Sequence, residues 1–283
     1  MIKIILIIMA VFILYCMIET ARELRDFRLT KYRICSPKLN GIRGTKKIIF
    51  LSDLHNRMYG KENERLLESI KNQHPDLILI GGDMLVRQDG NSYDRTVRFL
   101  EKLPAICPVY CANGNHEQKL KELPDKYEQS YEGYKKALTA CGIYMLENAS
   151  ETVRLDEAPV RISGLEIPLG AYARLGKKDL PLKEITDRIG EHGEEYQILL
   201  AHHPGYIQEY LEYGADLILS GHYHGGCDAA SGDRRGDFTG FYTISKILRR
   251  NIQGRSTDGG RKPRTGNTFC AGKIVELAGT DRS

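Results

Sequence analysis

Five short motifs of Asp, His and Asn recur along this chain of 283 residues, and each follows an apolar run. These residue types are costly to bury without a partner, so their repeated placement beside apolar segments indicates ligands that converge on one point. Carboxylate and amide oxygens combined with imidazole nitrogens form a donor set that suits Mn, Fe or Zn. The motifs are Asp53-Leu54-His55, Gly81-Gly82-Asp83, Gly114-Asn115-His116-Glu117, His202-His203-Pro204 and Gly221-His222-Tyr223-His224.

This donor set predicts a centre of two divalent or trivalent metal ions. One bridging carboxylate would hold two cations ~3.5–4 Å apart, the spacing of two-metal enzymes that cleave phosphate esters. A hydroxide bridging both metals is then a nucleophile at neutral pH, and both cations neutralise charge on the phosphoryl oxygens. Each motif alone has an ordinary alternative, such as an exposed strand end or a turn. The ordered set is much harder to explain in that way.

The elements that must position these motifs alternate in type along the chain. Apolar runs predict buried strands, and amphipathic stretches between them predict helices, so we expect an α/β domain with buried sheet and outer helices. Active sites in such domains gather at the carboxyl ends of strands, where all five motifs lie. We predict strands at 47–52, 76–80, 109–112, 197–201 and 216–220, helices at 61–73, 92–103, 125–140, 180–189 and 205–213, and a run of antiparallel strands at 143–146, 152–155 and 160–164.

The series DLH, GGD, GNHE, HH with Pro, and GHYH resembles the calcineurin-like metallophosphoesterase superfamily. It is most similar to the small membrane-associated bacterial branch, in which the last motif reads Gly-His-x-His-Gly-Gly. The resemblance covers about residues 46 to 226. The resemblance implies a two-sheet sandwich flanked by helices, two metal ions as cofactors, and hydrolysis of a phosphomonoester, phosphodiester or pyrophosphate bond.

The resemblance also implies a role for each donor. His116 would be the general acid or transition-state stabiliser at the leaving oxygen, since a departing alkoxide benefits from a positioned proton donor. The position two residues before Pro204 selects His202 over His203, and His203 is expected beside the ligands or in solvent. Glu117 either orients His116 or is a solvated turn residue. The implied metal ligands are Asp53, His55 and His224 at the first metal, Asn115, His202 and His222 at the second, and Asp83 between them.

The N-terminal segment is apolar and uncharged over residues 4–18, which predicts a single-pass membrane anchor at 1–20, near the short end for a span. A cleaved signal peptide is the main alternative, but no cleavage site of the Ala-x-Ala kind follows. A buried core helix is another alternative, although such a helix has little to pack against here. Basic residues after the segment outnumber those before it, which favours a cell-membrane protein with a cytoplasmic catalytic domain.

We divide the rest into a charged connector at 21–45, a phosphoesterase domain at 46–226 and an atypical basic tail at 227–283. The tail is rich in Gly, Arg, Ser and Thr, which indicates a frame-shifted or disordered ending. A divergent lineage-specific tail is one alternative, and contact with anionic lipid is another. An altered tail would put activity in doubt. The alternative function is therefore a catalytically impaired, membrane-anchored binding or scaffold protein that retains the fold.

The remaining composition constrains the partners. A net charge of +4 argues against nucleic acid as a partner, because DNA binding needs a concentrated basic face. We expect a phosphorylated small molecule as substrate, or a lipid-linked one, which a membrane anchor would favour by location. Arg57, Arg87 and Arg174 lie in loops near the motifs and either bind phosphate or are ordinary surface arginines. Seven cysteines without a CxxC pair fit a reducing compartment.

Overall fold

A computed structural model of the chain describes residues 9–15, 17, 27–87, 92–172, 179–222 and 271–280. Residues 9–15 and 17 are helical, and the rest of the predicted anchor lies outside the described residues. Within these ranges, no helix combines the length and hydropathy needed to cross a bilayer.

Ten strands of the described residues form two sheets. The first has the order β1-β10-β2-β3-β4-β5, and the second has the order β6-β7-β8-β9. The strands are β1 (Arg28–Cys35), β2 (Lys46–Leu51), β3 (Leu77–Ile80), β4 (Val109–Cys111), β5 (Ile143–Met145), β6 (Ala149–Leu155), β7 (Ala158–Leu165), β8 (Tyr196–Ala201), β9 (Leu217–Leu219) and β10 (Ala271–Ala278).

Helices cover the outer faces of both sheets. Alternate residues of each central strand face opposite sides, so one set packs against helices and the other fills the space between the sheets. A third cluster joins the second sheet to its own helices. The predicted two-sheet sandwich flanked by helices is therefore confirmed. The helices are α1 (Glu64–Lys71), α2 (Asp94–Leu100), α3 (Asn115–Glu122), α4 (Tyr131–Ala140), α5 (Leu182–Ile189) and α6 (Ile207–Tyr213).

Two local predictions differ from the structure. Strand β5 is not the first of an antiparallel run, because it pairs with β4 in parallel. Helix α4 lies between β4 and β5 and supplies the crossover that a parallel pair requires. Helix α3 was not predicted, since Gly114-Asn115-His116-Glu117 has the composition of a turn. In the structure this motif is the first turn of that helix.

Strands β1 and β10 lie in segments that were predicted to stand outside the domain. Strand β1 falls within the predicted connector 21–45, and β10 falls within the predicted tail 227–283. β10 pairs with β1 in parallel and with β2 in antiparallel orientation, so it is an interior strand of the first sheet. Ile274, Val275 and Leu277 are buried there. The apolar run around Ile274 is short, but it forms a strand because β1 and β2 both supply hydrogen bonds to it.

Because β10 is an interior strand, truncating one of its core side chains should destabilise the whole first sheet. We expect Ile274→Ala, at a position that is 0% exposed, to lower the free energy of unfolding by about 2–5 kcal/mol. Urea unfolding followed by circular dichroism measures this change. Lys31→Ala, at an exposed position of β1, is the control. Equal stability of the two variants would contradict the packing of β10.

Candidate metal centre

Five strand ends from two sheets meet at one edge of the sandwich. Strands β2, β3 and β4 are parallel neighbours in the first sheet, and β8 and β9 are parallel neighbours in the second. Each of these strands ends one to four residues before a predicted ligand. Because the two sheets pack face to face, the loops after their carboxyl ends face the same space.

Asp83 is the residue that these loops share. Its side chain is buried, with Oδ2 3.1 Å from His202 Nε2 and 3.8 Å from His55 Nε2. Two groups of potential ligand atoms form around it, one with His55 and His116 and the other with His202 and His222. Atoms within each group lie within 4.8 Å of one another. Asp83 is therefore shared by both groups of potential ligand atoms found among the described residues.

Asp53 lies beside both groups. Its Oδ1 is 3.8 Å from His55 Nε2 and 3.9 Å from His202 Nε2. The same oxygen accepts a hydrogen bond of 2.9 Å from the backbone N–H of His222. This bond joins the loop after β2 to the loop after β9, so Asp53 connects the two sheets at the site.

Among the predicted ligands of the described residues, two buried atoms have no hydrogen-bond partner, Asn115 Oδ1 and His202 Nε2, and the second lies 3.1 Å from Asp83 Oδ2. His202 Nδ1 lies 2.7 Å from Gly81 O and must donate to that carbonyl, so Nε2 is the nitrogen whose lone pair becomes available when the ring is neutral, as cation binding requires. A ligating histidine typically makes this kind of bond with its other nitrogen. An unpartnered buried polar atom costs about 1–3 kcal/mol, and a cation would satisfy both atoms. The residues present therefore fit metal ions.

The charges at the site depend on one another. Burial by itself would raise the pKa of Asp83, but the positive charge of nearby His202 holds that pKa well below its usual range. Burial lowers the pKa of His202, and the Asp83 carboxylate outweighs this effect and raises it. In the absence of cations the pair is thus stabilised as carboxylate and imidazolium.

His116 has a defined tautomer in this arrangement. Its Nδ1 accepts a hydrogen bond of 3.2 Å from the backbone N–H of Arg87, so the proton of the neutral ring is on Nε2. Burial lowers the pKa of His116, and the positive charges of Arg87 and Lys119 act in the same direction. Coordination through Nε2 would require loss of that last proton. The geometry therefore favours a hydrogen-bond donor that keeps its N–H over a metal ligand at this position.

Glu117 is the functional residue that sequence reasoning left undecided. It is 1% exposed, and its two oxygens accept four backbone hydrogen bonds. Oε2 accepts from Asp83 and Gly114, and Oε1 accepts from Met84 and Leu85, at 2.8–3.2 Å. Burial raises the pKa of this carboxyl to about 7. Its position three residues after the helix N-cap is a capping signal that could have been recognised in the sequence.

The other histidine of the His202-His203 pair lies behind the ligands. His203 is buried, and its Nδ1 accepts a hydrogen bond of 3.0 Å from Gly205. Its ring contacts that of His222, with centroids 4.8 Å apart, and Tyr172 contacts both rings. His203 thus supports His222 from behind and belongs to neither ligand group among the described residues. His224, predicted as a ligand, lies outside the described residues.

Four of the predicted ligands have left-handed backbone conformations. The φ angles are 58° at Asp53, 50° at His55, 53° at Asp83 and 70° at His222. Asp and His tolerate this region better than most residues, yet each instance costs about 1–3 kcal/mol unless the surroundings hold it. The site therefore stores backbone strain at its ligands, which is typical of functional centres.

Gly82 allows the loops after β3 and β4 to touch. Its φ is +91°, and a Cβ atom there would overlap the backbone of Gly114. We expect Gly82→Ala to lower the free energy of unfolding by more than about 1 kcal/mol and to reduce bound metal. Gly44→Ala is a matched control, since Gly44 also has positive φ, at +74°, but nothing within 4 Å of its Cβ position. Thermal unfolding and metal content of both variants test this, and equal behaviour would contradict it.

Comparison with known proteins agrees with this geometry. The model of the calcineurin-like phosphoesterase family matches residues 46–226. The chain is 27% identical over 210 residues to the uncharacterized metallophosphoesterase YkoQ of Bacillus subtilis, covering 72% of this chain and 70% of YkoQ. It is 30% identical over 208 residues to an uncharacterized metallophosphoesterase of Aquifex aeolicus, covering 70% of each. It is 26% identical over 203 residues to the phosphodiesterase YaeI of Escherichia coli, covering 71% and 67%. The chain belongs to the calcineurin-like phosphoesterase family.

Proposed function

We propose that this chain hydrolyses a phosphomonoester, phosphodiester or pyrophosphate bond at a centre that holds two metal ions. The position of Asp83 carries the proposal, because its carboxylate contributes to both groups of potential ligand atoms. Two further observations support it: Asn115 Oδ1 is buried without a hydrogen-bond partner among the described residues, and His202 Nε2 lies 3.1 Å from Asp83 Oδ2. Two bound cations would supply a nucleophilic water at neutral pH and neutralise charge on the phosphoryl oxygens.

The described residues divide between the two sides of Asp83. Asp53 and His55 would hold the first ion together with His224, and Asn115, His202 and His222 would hold the second. This ligand set contains no thiolate, so Mn, Fe or Zn in a mixed oxygen and nitrogen environment is the expected occupant. His116 would donate a hydrogen bond from its Nε2–H to the leaving oxygen and stabilise the charge that develops there, which its neutral tautomer supports.

Metal removal tests the centre directly. We expect about two transition-metal ions per chain in the purified protein by mass spectrometry, and loss of aryl phosphate hydrolysis after chelation. Adding back Mn should restore the rate, because the ligands are held by the fold through bonds such as that of His202 to Gly81. Protein without bound transition metal and without hydrolysis would instead favour the scaffold alternative.

The class of phosphate bond that the chain cleaves is identified by comparing substrates. The relative YaeI is named as a phosphodiesterase, which supports a phosphodiester among the candidate bonds. A screen across aryl phosphomonoesters, phosphodiesters, nucleoside diphosphates and nucleotide-diphosphate lipids with Mn would identify the class. Hydrolysis of none of them by metal-loaded protein would count against the proposed function.

We further propose that the N-terminal segment anchors the protein in the cell membrane, with the catalytic domain in the cytoplasm. The described part of this segment supports anchoring, because its apolar side chains are 51–64% exposed, including Val11, Phe12 and Leu14. Exposed apolar side chains of this density are stable in lipid rather than water. Fractionation of cells expressing the full chain tests the anchor, and recovery in the soluble fraction would contradict it.

A further inference from the structure

Three cations lie near one another beyond His116, and two of them contact a single aromatic ring. Arg87 follows the loop of Asp83, Lys119 lies one turn after His116 on α3, and Lys126 lies in the next turn of the chain. Arg87 Cζ is 5.7 Å from the centre of the Tyr127 ring, and Lys126 Nζ is 5.9 Å from it. The ring holds two positive charges in one place because its π face attracts cations.

These charges repel one another. Burial lowers the pKa of Lys119, and the positive charges of Arg87 and Lys126 lower it further. None of the three cations forms an ion pair with a carboxylate of the described residues, although ion pairs are frequent elsewhere on this surface. A cluster of like charges that forms no direct ion pair within the described residues raises the local concentration of anions and favours their binding.

A buried donor points to the same conclusion independently. Arg87 Nε is buried and has no hydrogen-bond partner among the described residues. A guanidinium presents its N–H groups in a rigid fork that matches the oxygens of a phosphate. A bound phosphate would therefore satisfy the Nε donor and relieve the repulsion among the three cations.

The cluster adjoins His116, the proposed hydrogen-bond donor to the leaving oxygen. The backbone N–H of Arg87 donates a hydrogen bond to His116 Nδ1. The Arg87 side chain therefore starts next to His116, which faces the leaving oxygen under the proposed function. We propose that Arg87, Lys119 and Lys126 form a subsite for a second phosphate, carried by the leaving group. The substrate class is then an organic pyrophosphate or a phosphoester whose leaving group bears another phosphate. This inference rests on the proposed function.

For a nucleoside diphosphate the reaction is balanced with water alone. Water forms a new P–O bond at the terminal phosphorus, and the bond from that phosphorus to the bridging oxygen breaks. The products are the nucleoside monophosphate, inorganic phosphate and one proton. The departing group is itself a phosphate, and the three cations would bind it as negative charge develops on its oxygen.

The test compares KM for ADP with KM for p-nitrophenyl phosphate in Mn-loaded protein. We expect the KM for ADP divided by the KM for p-nitrophenyl phosphate to rise about tenfold in Arg87→Gln and in Lys119→Gln. Each substitution removes one charged contact to the second phosphate, which only ADP carries. Lys126→Gln, at an exposed position, is the variant least able to disturb folding and should change the ratio in the same direction. Lys136→Gln, at an exposed position of α4, is the charge-matched control and should keep the wild-type ratio. An unchanged ratio in all three cluster variants would overturn the subsite.

Binding of inorganic pyrophosphate to chelator-treated full-length protein separates this inference from the proposed function. Isothermal titration calorimetry should show about tenfold weaker binding in Lys119→Gln than in Lys136→Gln. Equal binding by these two variants would overturn the subsite even if the enzyme is active. Weaker binding in Lys119→Gln without hydrolysis of any phosphate ester would support the anion site and count against the proposed catalysis.

Discussion

Asp83→Asn is expected to reduce Mn-dependent hydrolysis of an aryl phosphate by a factor on the order of a thousand or more. Asparagine keeps the side-chain size and the oxygen that accepts the 2.8 Å hydrogen bond from the His116 backbone. It removes the negative charge that both ligand groups share, so each cation would lose one anionic contact. Steady-state kinetics and metal content of the variant measure the two effects.

Asp187→Asn is the matched control for this substitution. Asp187 is an exposed residue of α5, and its carboxylate makes a surface ion pair with Lys183. Such pairs contribute little to stability, so this variant should behave as the wild type. Full activity of Asp83→Asn with two bound metals would exclude Asp83 as the bridging ligand. Loss of activity with unchanged folding would support it.

Glu117→Ala is expected to lower the free energy of unfolding by at least about 3 kcal/mol and to reduce bound metal. Four buried N–H groups lose their acceptor together, including those of Asp83 and Gly114. Without that acceptor the loops after β3 and β4 are no longer held in register, and Asp83 is no longer presented to the centre. Urea unfolding and metal analysis measure both consequences.

Glu117→Gln refines the same prediction. All four partners are donors, so the amide nitrogen would face two N–H groups that it cannot accept from. We therefore expect a loss of stability close to that of Glu117→Ala. Glu122→Ala, at an exposed position on the same helix, should lose only a surface contact with Gln118. Wild-type stability of Glu117→Gln would show that the paired acceptor oxygens are not required.

The spacing of polar motifs and apolar runs along the sequence was enough to predict the types of the ligands and the positions of the strands. Each ligand follows a short apolar run, and a run such as 76–80 reports burial of its own residues without reference to the rest of the fold. The order of strands and helices then predicted an α/β domain with a buried sheet and outer helices, and the family resemblance implied the second sheet. Errors arose where a neighbour far along the chain decides the outcome, as at β5 and β10.

Burial of a polar residue is the feature that local pattern could not decide. From the sequence, Glu117 is expected to be either a solvated turn residue or a residue that orients His116. In the structure it is buried because the loop after Asp83 packs over it and donates hydrogen bonds to it. Arg87, Lys119 and Lys126 are ordinary surface residues by sequence. Only the packing of α3 against the loop after β3 brings the charges of Arg87 and Lys119 close enough to His116 to lower its pKa.

The sequence by itself determined which side chains are donors and that each stands at the carboxyl end of a strand, because residue type and hydrophobic period are local properties. The tertiary structure decided that edges of two different sheets face one another, so that Asp83 lies within reach of both His55 and His202. It also decided that Ile274, near the end of the chain, lies beside Ile49 near its beginning. Such pairings depend on contacts between residues more than 100 positions apart, which no local pattern records.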